Sequence, residues 1–169
     1  MTETKYSFRL LAPDDAAQWR ALRLRSIRDF PLGFLVTEEE ASQVTIEQLV
    51  DRLKLGNDWG VFVGETLVGF CNCRRQNLSR TKHRGEIGPF FIDAVHHGTQ
   101  AASLLMETII ADARSKGIEQ LELYVDSKNH RAIRFYERMG FSHAATLPNA
   151  VKIDGHSHDD HFYIQRLKT

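Results

Sequence analysis

Between Glu86 and Ala113 the sequence reads as a strand, a tight turn and a helix in immediate succession, an order that fixes much of what the chain can become. Glu86 to Ile92 is apolar enough for a buried strand. Pro89 cannot donate to a ladder and Gly88 weakens one, so a bulge is expected there, freeing backbone groups for a ligand. Asp93 to Ala102, rich in small residues and histidine, reads as the turn. Leu104, Leu105, Ile109 and Ala113 then recur at near-helical spacing, and Gly117 stops the helix. A strand entering a glycine-containing turn and then a helix start aims several backbone N–H groups at one point, which suits a phosphate.

At 169 residues the chain has the length of one ordinary domain, and residues 1–169 are read as such. Lysine plus arginine and aspartate plus glutamate both number 22, so no global field favours nucleic acid or an anionic membrane, and a small-molecule partner is expected. No apolar run is long enough to cross a bilayer, and Met1 to Leu10 contains Glu3 and no apolar core, so it is not read as a signal peptide; a cytoplasmic protein is expected. Cys71 and Cys73 share one face of a strand, where a direct disulfide would be strained, and read as small buried residues rather than a redox or metal pair.

Tyr6 to Ala12 alternates and stops at Pro13, giving a first strand. Asp14 and Asp15 open a helix from Ala16 to Phe30 with Trp19, Leu22, Ser26 and Phe30 on one face; Arg20, Arg23, Arg25 and Arg28 read as its solvated side. Phe34 to Gln43 reads as irregular, its Glu38-Glu39-Glu40 run exposed or part of a lid that attracts a cation. Thr45 with Gln48 has capping-box spacing before a short helix ended by Gly56. Trp59 to Val63 and Thr66 to Cys73 form an antiparallel hairpin around Gly64 and Glu65, and Asn77 to Arg84 is a loop. Ile118 to Val125 alternates as a strand, so strand, helix and strand make a βαβ unit with parallel neighbours.

Asp126 to Asn129 is a polar turn, and Asn129 is placed to cap a helix carrying Ala132, Phe135, Tyr136 and Met139 on one side. Periodicity makes Tyr136 a core residue, yet an inward phenol needs a hydrogen-bond partner, which leaves a structural and a functional reading open. The stretch Asn129-His-Arg-Ala132-Ile-Arg-Phe-Tyr136-Glu-Arg-Met-Gly140-Phe141 closely resembles the N-x-x-A-x-x-x-Y-x-x-x-G-F signature of the GCN5-related N-acetyltransferases (GNAT superfamily), and Glu86 to Ala113 occupies the place of that superfamily's acetyl-CoA site. The resemblance implies one α/β (α+β) domain with a mixed, twisted sheet of six or seven strands flanked by helices, the coenzyme entering where two parallel central strands diverge. One departure stands out. Where members carry Q/R-x-x-G-x-G/A, this chain has His97-Gly98-Thr99-Gln100-Ala101-Ala102; Gln100 replaces a glycine and only Ala102 fits. Because the pyrophosphate is held mainly by backbone N–H groups, the coenzyme is still expected to bind, at reduced strength.

The resemblance further implies acetyl-CoA as co-substrate and direct attack by an amine, with a small-molecule primary amine as acceptor and no metal. Tyr136 is the implied acid for the departing thiolate, and Glu86, at the entry of the central strand, the candidate base, with a surface ion pair as its other reading. Phe91, Ile92 and Asp93 are expected to pair with the pantetheine arm by backbone groups, an N–H polarising the thioester oxygen. His97, Gly98, Thr99, Gln100, Ala101 and Ala102 would hold the diphosphate, and Asn129 either bonds the arm or simply caps. If His97 stands in for arginine, coenzyme affinity should fall as pH rises. Rival readings are a non-catalytic acyl-CoA-binding or regulatory module and a protein or peptide N-acetyltransferase. Members are often dimers, so a homodimer is an expectation. Ala150 to Leu167 reads as a final hairpin turning at Asp154-Gly155; its His156, His158, Asp159, Asp160 and His161 invite a metal, but no partnering ligand pattern exists elsewhere, so plain surface is the leading reading and a polar strand near the amine-side mouth the next.

Overall fold

The structure, a computed structural model, describes residues 5–167, so Glu3 and the start of the amino-terminal stretch lie outside it. In chain order it has β1 (Tyr6–Leu10), α1 (Ala16–Asp29), α2 (Glu38–Ser42), α3 (Ile46–Leu53), β2 (Asp58–Val63) and β3 (Thr66–Arg75). Then come β4 (Arg84–Ile92), α4 (Ala101–Ser115), β5 (Gln120–Asp126), α5 (His130–Arg138), β6 (Ser142–Ile153) and β7 (His156–Arg166). The strands form one seven-stranded mixed sheet in the order β1-β2-β3-β4-β5-β7-β6. The expected parallel pair is β4 with β5, in register over Arg84–Gln120, Gly85–Leu121 and Glu86–Glu122; the expected hairpins β2–β3 and β6–β7 are antiparallel.

Two compact units divide the chain, residues up to 73 with 89–109, and 74–88 with 110 onwards. In the first, Trp19, Leu22 and Ile27 of α1, Leu49 and Leu53 of α3, and Phe62, Leu67, Phe70 and Phe91 of the sheet bury one apolar cluster. Full burial of each such side chain contributes about 1.5–3 kcal/mol, which is what secures these helices on the sheet. The expected face of α1 is buried at Trp19, Leu22 and Ser26, but Phe30 is exposed because the helix stops at Asp29 and its backbone turns away. Arg25 and Arg28 of α1 are solvent-exposed, as expected, and also make surface contacts of their own. Arg28 pairs with Glu38, Arg25 with Asp93, and Arg20 donates to the carbonyls of Ser42 and Val44.

Phe34 to Gln43 is not wholly irregular. Thr37 accepts from Glu40 N and the Glu40 carboxylate from Thr37 N, a capping box that starts α2 and puts the acidic run in its first turn, where the helix dipole favours it. The Thr45–Gln48 box starts α3 as expected.

In the second unit, Leu121, Leu123 and Val125 of β5 are buried with Ile118, Tyr136 and Phe141, while Tyr163 on β7 donates to Glu137 at 3.0 Å and Gln165 to Met139 O at 3.1 Å, tying β7 to α5. Gly140, at φ +94°, ends that helix in a conformation that side chains resist. Cys71 is buried and Cys73 half-buried, and the two are not joined by a disulfide. No helix among the described residues is long and apolar enough to cross a membrane.

Candidate active site

The first unit holds the end of β4, the turn and the start of α4. Phe91 is buried, its ring 5.7 Å from those of Phe30 and Phe70. Gly69 on β3 allows the strand end to come close, because a Cβ there would lie 2.8 Å from Phe91 O and 2.6 Å from Ile92 Cδ1. Asp93 N–H donates to Val68 O at 2.8 Å. It is spent within the sheet, so the polarising N–H expected in this stretch is not that of Asp93.

Past Asp93 the chain makes a single 3₁₀ turn at Ala94–His96 and then reverses at Gly98, whose φ of +75° is a left-handed value natural to glycine. His97 Nε2 donates to Ile92 O at 2.7 Å, folding the imidazole back on the strand. Tyr6 OH lies 3.0 Å from His96 Nδ1 and donates to Thr99 Oγ1 at 3.2 Å, while Thr99 Oγ1 accepts from Ala101 N and donates to His96 O. Arg25 holds Asp93 at the other end of the turn. With the turn fastened in this way, the N–H groups of Gly98, Thr99, Gln100, Ala102 and Ser103 have no protein hydrogen bond among the described residues. They stand at the positive end of a 15-residue helix. The Gln100 side chain is exposed and makes no hydrogen bond among the described residues; Ala101 is buried and Ala102 half-buried.

Glu86, Asn129 and Tyr136 belong to the second unit. Glu86 stands opposite Glu122 in the parallel register and has Arg74 as its ion-pair partner at 3.8 Å. Asn129 caps α5, its oxygen accepting from Ala132 N at 3.3 Å, which leaves the amide nitrogen as the free donor. Tyr136 is 7% exposed and packs edge-on against Phe141, ring centroids 5.9 Å apart.

The carboxy-terminal acidic and histidine cluster is not plain surface. His158 Nδ1 lies 2.6 Å from Asp126 Oδ2, both residues buried, and Asp160 is buried beside them. Burial and the neighbouring Asp126 carboxylate raise the Asp160 pKa above its ordinary value. No group of three or more His, Cys, Asp or Glu among the described residues is arranged to hold a metal.

Tyr6 and Arg25 lie far from the turn in sequence, and nothing in their local pattern pointed to it. Gly69 did carry a signal, since a glycine inside a strand marks close backbone approach.

The fold is that of GNAT acetyltransferases. It superimposes on the acetyltransferase of the GNAT family from Streptococcus pneumoniae with a TM-score of 0.88 at 21% identity, covering 97% of this chain and 100% of that one. A putative acetyltransferase from Salmonella typhimurium, solved with its cofactor acetyl-CoA, gives a TM-score of 0.81 at 16% identity, covering 96% and 94%. Residues 19–141 match the model of the Acetyltransferase (GNAT) family, and the chain belongs to that family. It is 30% identical over 165 residues to a mycothiol acetyltransferase of Propionibacterium freudenreichii subsp. shermanii, covering 88% of this chain and 52% of the relative. The chain thus spans about half the length of the curated relatives it matches.

Proposed function

We propose that the chain, read as one acetyltransferase-like domain over residues 1–169, is an N-acetyltransferase that transfers the acetyl group of acetyl-CoA to a primary amine of a small molecule by direct attack in a ternary complex. The observation that carries this reading is the cradle of unpaired N–H groups of Gly98, Thr99, Gln100, Ala102 and Ser103 at the start of α4, in a chain of the GNAT family. The donor set fits a diphosphate, because backbone N–H groups at a helix start bind anions without needing the usual arginine. Bound there, the coenzyme supplies an electrophilic thioester carbonyl.

His97, with Nε2 engaged by Ile92 O, shapes the cradle, and Gly98, Thr99, Gln100, Ala101 and Ala102 form it. Phe91 and Ile92 would meet the pantetheine arm along the end of β4, and the free amide donors of Asn129 would bond the same arm. Glu86 takes the proton that the attacking ammonium must lose, directly or through water. Tyr136 gives its phenolic proton to the departing thiolate and recovers it from solvent.

Kinetics at saturating acetyl-CoA test these roles. Tyr136→Phe should lower kcat by about a hundredfold or more; unchanged turnover removes Tyr136 from the mechanism. Glu86→Gln should abolish the acidic limb of the pH–rate profile, and an unaltered profile excludes it as the base.

A further inference from the structure

On the second unit's sheet, Tyr124 and Phe162 face each other across β5 and β7, and two positions along, past Val125 opposite His161, Asp126 stands opposite Asp160. Strand alternation puts all four side chains on one face, with His158 two residues before Asp160 on that same face. The rings lie 4.9 Å apart, centroid to centroid, and Tyr124 is 55% exposed. An aromatic shelf open to solvent therefore abuts two carboxylates.

These carboxylates are not equivalent. Asp126 is fully committed, Oδ2 to His158 Nδ1 at 2.6 Å and Oδ1 to the Lys128 N–H at 2.8 Å. Asp160 is 9% exposed, and its carboxylate makes no hydrogen bond among the described residues. A carboxylate so desolvated and so close to a second one is held at a cost that a cation beside it would relieve. Such a cation has one open carboxylate and two ring faces to work with. A hard metal ion wants six or more oxygen ligands, and no group of three or more His, Cys, Asp or Glu among the described residues is arranged to begin such a set. An organic ammonium needs one carboxylate for its N–H groups and an aromatic face for its charge and its carbon body.

We propose that Asp160, with the Tyr124–Phe162 shelf, is the receptor for the ammonium group of the acceptor amine, selecting cationic amines with an apolar or aromatic body. As a statement about the acceptor this rests on the function proposed above; as a statement about a cation site it stands on the sheet geometry alone. The charged form of the amine docks, and His158, held by Asp126, fixes the floor beside it.

Phenethylamine and its neutral counterpart phenethyl alcohol are suitable probes. In amide-resolved NMR titrations of the wild-type chain, the amine should shift residues around Tyr124, Asp160 and Phe162, and the alcohol should bind at least tenfold more weakly. Asp160→Asn should remove that preference, and Tyr124→Leu should weaken amine binding several-fold where Tyr124→Phe retains it. Amine shifts that map elsewhere, no shifts at millimolar amine, equal binding of amine and alcohol, or an Asp160→Asn variant that binds like wild type would each overturn the proposal. In thiol-release assays, Asp160→Asn should raise the KM for a cationic amine tenfold or more with the acetyl-CoA KM unchanged. Amine binding at Asp160 without any acetyl transfer would sink the enzymatic reading and leave the site standing; transfer with an unaltered amine KM in Asp160→Asn would do the reverse.

Discussion

Arg84 grips Glu122 at two points, Nε to Oε2 at 2.8 Å and Nη2 to Oε1 at 2.6 Å, directly beside the register position where Glu86 faces Glu122. Two carboxylates on one face of parallel strands would repel, but the buried one is neutralised by a bidentate guanidinium. The other, Glu86, has only Arg74 at 3.8 Å, beyond hydrogen-bond reach. Glu122 thus holds the strand pair, while Glu86 is left without a close ion-pair partner, as the base role proposed for it would require. Glu122→Gln should lower stability by about 2 kcal/mol, less than a fully buried pair would lose because Arg84 is partly solvated. Urea unfolding measures this, and an unchanged midpoint would contradict it.

Tyr6 reaches across from β1 to hold the turn by hydrogen bonds to His96 and Thr99. Removing its hydroxyl should loosen the cradle without opening the core. Tyr6→Phe is expected to cost under about 1 kcal/mol in stability, since the bonds are solvent-accessible, yet raise the acetyl-CoA KM several-fold with kcat little changed. An equal KM in variant and wild type would show that the turn keeps its shape unaided.

Asp160 carries a pKa raised first by burial and then by Asp126, so its ionised form is disfavoured in the folded state. The folded chain then binds the proton more tightly than the unfolded one, and its contribution to stability is lost as pH rises above the ordinary carboxylate value. Asp160→Asn should therefore raise the melting temperature at pH 7 by a few degrees, and the gain should shrink as the pH falls towards the ordinary carboxylate value and vanish only below it. A gain that persists at low pH would assign the effect to packing.

Cys71 is fully buried on β3, and burial pushes its thiol pKa well up. Native alkylation with iodoacetamide at pH 8, followed by peptide mass spectrometry, should label Cys73 and spare Cys71 until the chain unfolds. Labelling of both at equal rates would contradict the burial of β3.

The elements that local physics determines could be read directly from the residues. The Thr45–Gln48 capping box, the hairpin at Gly64–Glu65 and the run from β4 into α4 all announce themselves within a few residues. Helix α2 escaped notice although Thr37 and Glu40 have the same capping spacing as Thr45 and Gln48, because five residues offer no apolar periodicity. Asn129 as a cap and Tyr136 as a buried tyrosine were legible for the same local reason. The fastening of the turn was not, since Tyr6 acts on Thr99 from 93 positions away. Nor was the burial of His158 and Asp160, which depends on Asp126 in another strand and on β6 jumping register between Leu147 and Val151, where Pro148 interrupts the ladder and Asn149 has a left-handed φ of 52°.

The most direct measurement of the central claim is amine-dependent release of free thiol from acetyl-CoA, with the product identified by mass, across a panel of small primary amines. At least one amine should give thiol release and N-acetyl product in equal amounts, and Tyr136→Phe should lose that turnover. Tight binding of acetyl-CoA by calorimetry with no product from any amine would contradict it, and would leave a chain of the GNAT family that holds the coenzyme without using it.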